Sequence, residues 1–371
     1  MNARPFYRSG LAALSALLTF GLGFEASAQS VTTVPVGAVT VTVAASIDGV
    51  TYNTTQISAP LLVAPLVPGS GADPVSPSGA LSGRVTSVGA DTIEMSAAGW
   101  TTAQLSQAAY PIFVKITSGV NQGRCFHVTG NTETVLTVNT QNTNLTTLSF
   151  AVGSSGDTFE LVAGDTLLGL LGTPVDGVLG GTASQFSSNQ VDKVTLNNIT
   201  NNVLFTYYYN TEFNQWRRSG SSTNQNNVVI APDTGISYQR LANSDLKITL
   251  VGNVPTSQIK SVVPTLGTTI LARYFPTDVA LVDLGLQNLS NWRKVGVGDV
   301  TIANSDRVVV KNGLTIFSYY YDGVNAQWKR SGSGSNQGAV VVGAGSAVRI
   351  QRSGTAGGLD IWSVDANYTL N

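Results

Sequence analysis

The residues best equipped for chemistry come in a repeated set. Tyr207, Tyr209, Trp216 and Arg218 return as Tyr319, Tyr321, Trp328 and Arg330, 112 residues on in every case. Tyrosine and tryptophan offer flat apolar faces with polar tips, the combination that stacks on sugar rings. On a strand Phe205, Tyr207 and Tyr209 share one face and Leu204, Thr206 and Tyr208 the other. Phe317, Tyr319 and Tyr321 repeat this opposite Ile316, Ser318 and Tyr320. After a short turn, Trp216 and Arg218 share a face. The same residues also serve a hairpin directly, because cross-strand Tyr–Trp and Arg–Trp pairs each stabilise a sheet by ~0.2–1 kcal/mol. The two uses separate on exposure. A sugar platform needs Trp216 and Trp328 open to solvent, whereas a structural role buries both.

Other chemistry is sparse. His127 is the one histidine and Cys125 the one cysteine, so a serine or cysteine triad would have to take His127 as its base, and ordinary zinc sites and any intramolecular disulfide are removed. Two apart on a strand, they project to one face as a conceivable Cys–His pair, but no orienting acid lies nearby in sequence. Asp91, Glu94, Glu133, Asp157, Glu160 and Asp165 could in principle supply paired carboxylates for glycoside hydrolysis. Most of them sit at Gly-flanked turns or strand ends, where aspartate is a turn former. No Gly-x4-Gly-Lys-Ser/Thr spacing offers a phosphate cradle, and no Asp-x-Asp-x-Asp run offers a calcium loop. A non-catalytic chain without a cofactor or metal is the expectation.

The elements that would hold these residues read as strands. Val39, Val41 and Val43 alternate with Thr40 and Thr42, as a half-buried strand requires. Pro60, Pro65, Pro68, Pro74 and Pro77 mark a loop over 60–80. Short strand signals recur from 81 to 163, among them Gly83–Val88 and Thr92–Met95 flanking a turn at Gly89-Ala90-Asp91. Thr101 or Thr102 is placed to cap a short turn before Leu105, and Asp165 or Thr166 a short helix over Leu167, Leu168, Leu170 and Leu171. In the duplicated part, Asn224-Gln225 answers Asn336-Gln337 and Gln239-Arg240 answers Gln351-Arg352. The fold expected is all-β: a sandwich or barrel-like domain over 29–170, then two duplicated antiparallel modules over 171–262 and 263–371.

Three passages carry a resemblance: Val31-Thr-Thr-Val-Pro-Val-Gly37, Gly83-Arg-Val-Thr-Ser-Val88, and Val114-Lys-Ile-Thr-Ser-Gly119 with Gly156-Asp-Thr-Phe-Glu-Leu161. Together they resemble a large paralogous family of exported, β-rich, uncharacterised bacterial proteins, whose C-terminal part the Tyr-Tyr-Tyr…Trp modules also resemble. The resemblance implies export and β-structure and assigns no site residue.

The N-terminus agrees. Arg4 and Arg8 precede a short apolar stretch, Leu11 to Leu22, and Ala26-Ser27-Ala28 offers a small-x-small cleavage site, so 1–28 reads as a secretory signal. No later stretch is long and apolar enough for a transmembrane helix. With 11% charged residues and a net charge of −1, no basic face is available for nucleic acid. The partners expected are further copies of the chain or a surface polysaccharide, in the periplasm, at the cell surface or outside the cell.

Overall fold

Alternation along the first described strand sets the pattern for the rest. In a computed structural model, which describes residues 36–59, 77–200, 202–255, 257–273, 276–312 and 315–364, Val41 and Val43 are buried while Thr40 and Thr42 face solvent. The expected signal over 1–28 and most of the loop over 60–80 lie outside the described residues. The strand Val36–Val43 pairs antiparallel with Leu246–Asn253, so that Val41 and Val43 lie beside Ile248 and Leu246. This ribbon closes one side of a core whose other wall is a five-stranded sheet. The sheet runs Gln215–Arg218, Leu204–Asn210, Lys193–Asn197, Ile236–Arg240, Asn53–Ile57. The short helix Leu167–Leu171 adds Leu167, Leu170 and Leu171 to the same core. Thr166 caps it, its hydroxyl accepting from Gly169 N at 3.1 Å.

A second sandwich repeats the first strand for strand. Its sheet runs Gln327–Arg330, Thr315–Asp322, Arg307–Asn312, Val348–Ser353, Leu266–Leu271, and its ribbon pairs Ile259–Pro264 with Leu359–Val364. Even the two-residue pairing of Asp165–Thr166 with Val229–Ile230 has its counterpart, Val279–Ala280 with Val341–Val342. All of these ladders are antiparallel, and the molecule is all-β.

The repeat units differ from the expected boundaries in a specific way. The strands Val36–Val43 and Asn53–Ile57 belong to the first sandwich, although they precede the segment 81–163. That segment forms its own seven-stranded antiparallel sheet, ordered Ser82–Arg84, Thr158–Ala163, Ile112–Ile116, Cys125–Asn131, Val135–Asn139, Thr92–Glu94, Ser87–Val88. It is inserted where the second sandwich has only the short connection 272–278. The second sandwich in turn begins at Ile259, before 263. Alternation identifies a half-buried strand but carries no information about a partner 200 residues away. The Gly83–Val88 hairpin also shortens: Ser87–Val88 pairs with Thr92–Glu94, but Ser82–Arg84 pairs with Thr158–Ala163.

The two sandwiches meet through reciprocal contacts. Gly235 N donates to Ile270 O (3.0 Å) and Ala272 N to Asp233 O (3.0 Å). In exchange, Ala347 N donates to Gln56 O (3.3 Å) and Ser58 N to Gly345 O (2.8 Å). Gly235 and Ala347 are equivalent, as are Asp233 and Gly345, so each sandwich uses the same loop to grip the same strand of the other. This is the self-complementary arrangement of a twofold dimer, built within one chain. On the axis the equivalent residues touch. A Cβ at Gly235 would fall 2.7 Å from the Cβ of Ala347, so the close approach requires glycine there.

Candidate functional site

The repeated aromatic hairpin is built from its turn outward. Asn210 Oδ1 accepts from the backbone N of Glu212 (3.0 Å) and Phe213 (3.1 Å). Asp322 Oδ1 does the same for Val324 and Asn325, both at 3.0 Å. An Asn or Asp at this position substitutes for a backbone acceptor and closes the turn. The register that follows places Tyr209 opposite Trp216 and Tyr207 opposite Arg218, with Tyr321 opposite Trp328 and Tyr319 opposite Arg330.

The ring faces point inward. Trp216 and Trp328 are both 0% exposed, and Tyr207 and Tyr319 are nearly so. Tyr209 packs edge-on against Trp216 at 5.8 Å between centroids, and Tyr321 against Trp328 at 5.5 Å. Trp216 Nε1 donates to Gly172 O at 2.9 Å. Trp328 Nε1 has no acceptor, its ring lying instead 5.9 Å from Trp292. Half-buried Arg218 and Arg330 lie over Phe205 (4.4 Å) and Phe317 (4.6 Å). The opposite face is covered as well, since Tyr208 stacks on Phe186 at 4.4 Å and Lys193 lies 4.6 Å over that ring. Of the eight residues that could form a sugar platform, both tryptophans are enclosed in the cores, and no sugar could stack on them without opening a sandwich.

A second repeated cluster went unread in the sequence. Asp192 and Arg240 are buried at the end of the first core, with Arg240 Nη1 2.5 Å from Asp192 Oδ2. Tyr238 Oη (2.8 Å) and Leu179 N (2.9 Å) also donate to Oδ2, and Leu241 N (2.8 Å) donates to Oδ1. In the second core Arg352 Nε reaches Asp306 Oδ2 at 2.7 Å, with Arg293 N (2.8 Å) and Ser353 N (2.7 Å) completing the carboxylate. Where the first copy has Tyr238, the second has Ile350, and Asp360 pairs with Arg352 Nη2 at 2.8 Å. Saturation by backbone donors identifies these as fasteners. Each ties the chain entering a sheet to the strand leaving it, and breaking such a buried pair costs about 3–5 kcal/mol. The register Gln239-Arg240/Gln351-Arg352 was the available signal. The aspartates were less visible because they are 114 residues apart, two off the register of 112 that the aromatic hairpins keep.

Cys125 and His127 lie half-buried on the face of the seven-stranded sheet opposite its core cluster, beside buried Lys115 and Phe113. Burial pushes the Cys125 thiol up to about 12, and burial pulls the His127 imidazole down to about 4. Both shifts favour the neutral forms, the opposite of a thiolate–imidazolium couple. The His127 ring lies 5.2 Å from Phe113. Three of the six carboxylates have structural partners: Glu160 pairs with buried Lys115 at 2.8 Å, Asp157 Oδ2 accepts from Ala151 N at 3.2 Å, and Glu94 accepts from Ser87. Among the described residues no three His, Cys, Asp or Glu side chains are grouped to hold a metal. Compared with family models, with curated proteins and with solved structures, the chain matches none.

Proposed function

We propose that this chain is an exported, non-catalytic structural or surface-interaction protein, assembled from two fused β-sandwiches that carry an inserted sheet. One observation supports the reading above others. The aromatic and charged side chains that recur between the modules, Tyr209/Tyr321, Trp216/Trp328, Asp192/Asp306 and Arg240/Arg352, are all engaged in closing the sandwiches. Duplication has thus preserved a scaffold, and the variable parts are the inserted sheet and the outward faces. Neutral Thr, Ser, Asn and Gln, with few charges, leave those faces suited to contact with other surfaces, including further copies of the chain.

The test combines location and assembly. The full-length chain is expressed with a C-terminal tag, the cells are fractionated, and residues 29–371 are purified for light scattering across a concentration series. The expected result is processed protein in the exported fraction and a mass that rises with concentration, or saturable binding to whole cells. Unprocessed cytoplasmic protein, or an exported monomer at every concentration that binds no cells, would overturn the proposal.

A further inference from the structure

The reciprocal seam between the sandwiches creates two equivalent clefts, one on each side of the internal twofold. On one side, Thr234, Ile270 and Leu271 meet Asn197, whose Oδ1 accepts from Ile270 N at 2.8 Å, and Gln141 of the inserted sheet reaches in as well. What remains there is about 20 Å³. On the other side, Ser346 and Gln56 stand where Thr234 and Ile270 stood, no residue of the inserted sheet lines the cleft, and about 230 Å³ remains. At about 30 Å³ per liquid water this is room for roughly eight waters.

The larger cleft is also the one with unmet hydrogen bonding. Gln56 is 8% exposed; its Nε2 donates to Ser237 Oγ at 3.1 Å, while Oε1 has no donor. Thr55 Oγ1 has no partner either, but it lies on the other face of the strand, the one that carries Ile57 and Tyr238 into the core. Thr42 and Ser346 add hydroxyls at the lining, and Val310 and Val342 give it apolar walls. Its described lining contains no charged side chain, and the buried Arg273 guanidinium is already bound to the carbonyls of Val342 (2.6 Å) and Gly343 (3.2 Å); a neutral hydroxylated molecule would find hydrogen-bonding groups and apolar wall there.

We propose that this seam cleft is a binding site for a small uncharged polyhydroxyl ligand, with Gln56 as its buried recognition group. The site is separate from the aromatic hairpins and does not depend on the structural reading above.

The experiment is saturation-transfer NMR and titration of residues 29–371 with methyl β-D-glucopyranoside and myo-inositol, with glucuronate as the charged control. Both neutral probes are expected to bind, and glucuronate is not. Gln56→Leu should weaken binding by about ten-fold, the loss of roughly one hydrogen bond. Ala44→Phe, placed at the lining to fill the cleft, should abolish it. Thermal melts of both variants establish that they fold, and if Gln56→Leu does not fold, Ala44→Phe decides alone. Absence of binding by either neutral probe, equal binding of glucuronate, or binding unchanged by a folded variant would overturn the proposal.

Discussion

Trp216 and Trp328 occupy equivalent, fully buried positions with unequal polar surroundings. The indole N–H of Trp216 is satisfied by Gly172 O, whereas that of Trp328 has no acceptor. Phenylalanine at either position removes similar volume, but only at 216 does it strand a buried carbonyl. Trp216→Phe is therefore expected to destabilise by about 1–2 kcal/mol more than Trp328→Phe, measured by urea unfolding. Equal losses would mean that the indole hydrogen bond contributes nothing. At this scale the sequence was informative about pairing and silent about direction. Cross-strand Tyr–Trp pairing was expected and Tyr209 lies opposite Trp216, yet aromatic residues lay on both faces of the strand. Which face met the core depended on the ribbon Val36–Val43, more than 160 residues upstream.

Among the elements, the hairpin turn shows how far local chemistry reaches. Asn210 and Asp322 close the two turns in the same manner, but the residues that end them differ. Asn214 has φ 50° and Ala326 φ 51°. Asparagine tolerates this left-handed conformation, whereas alanine's Cβ crowds the following carbonyl, at about 1–2 kcal/mol. Ala326→Asn is expected to raise stability by about 1 kcal/mol and the melting temperature of the second sandwich with it. A lower or unchanged melting temperature would show that the strain is relieved elsewhere. Turn residues, strand alternation and the Thr166 cap were all legible because each depends on neighbours in sequence. The pairing of Asn53–Ile57 with Ile236–Arg240 was not, since an edge strand of polar and β-branched residues fits many partners equally well.

For the whole molecule, two groups whose titration is shifted by burial oppose each other in pH. Asp233, half-buried at the seam, has its carboxyl pushed up to about 6 by burial, against hydrogen bonds from its own backbone and Ser261 and the charge of Arg124. Folding therefore favours its proton: that stabilisation is full below about 3.8 and is lost as pH rises through about 6. His127 behaves oppositely, since burial pulls it from 6.5 to about 4. Its contribution is full above 6.5 and is lost as pH falls through about 4. Melting curves from pH 4 to 7 should separate the two. Asp233→Asn is expected to remove the loss on the alkaline side of this window, and His127→Asn the loss on the acidic side. Profiles parallel to that of the unaltered chain would show that neither group titrates differently on folding.

The contact of Gly235 with Ala347 has a consequence for how such a molecule can diverge. In a homodimer one codon governs both sides of the axis, so a methyl that must be absent from one subunit is absent from both. Fusion into a single chain frees the two positions. Ala347 keeps the methyl that Gly235 must lack, and the two clefts beside the axis have likewise separated, one closed by Asn197 and Gln141, the other left wide. The linkage also makes the joint independent of protein concentration, since each half always has its partner at hand. An ancestral pair of identical seams can thus hold the molecule together with one and acquire a new role with the other.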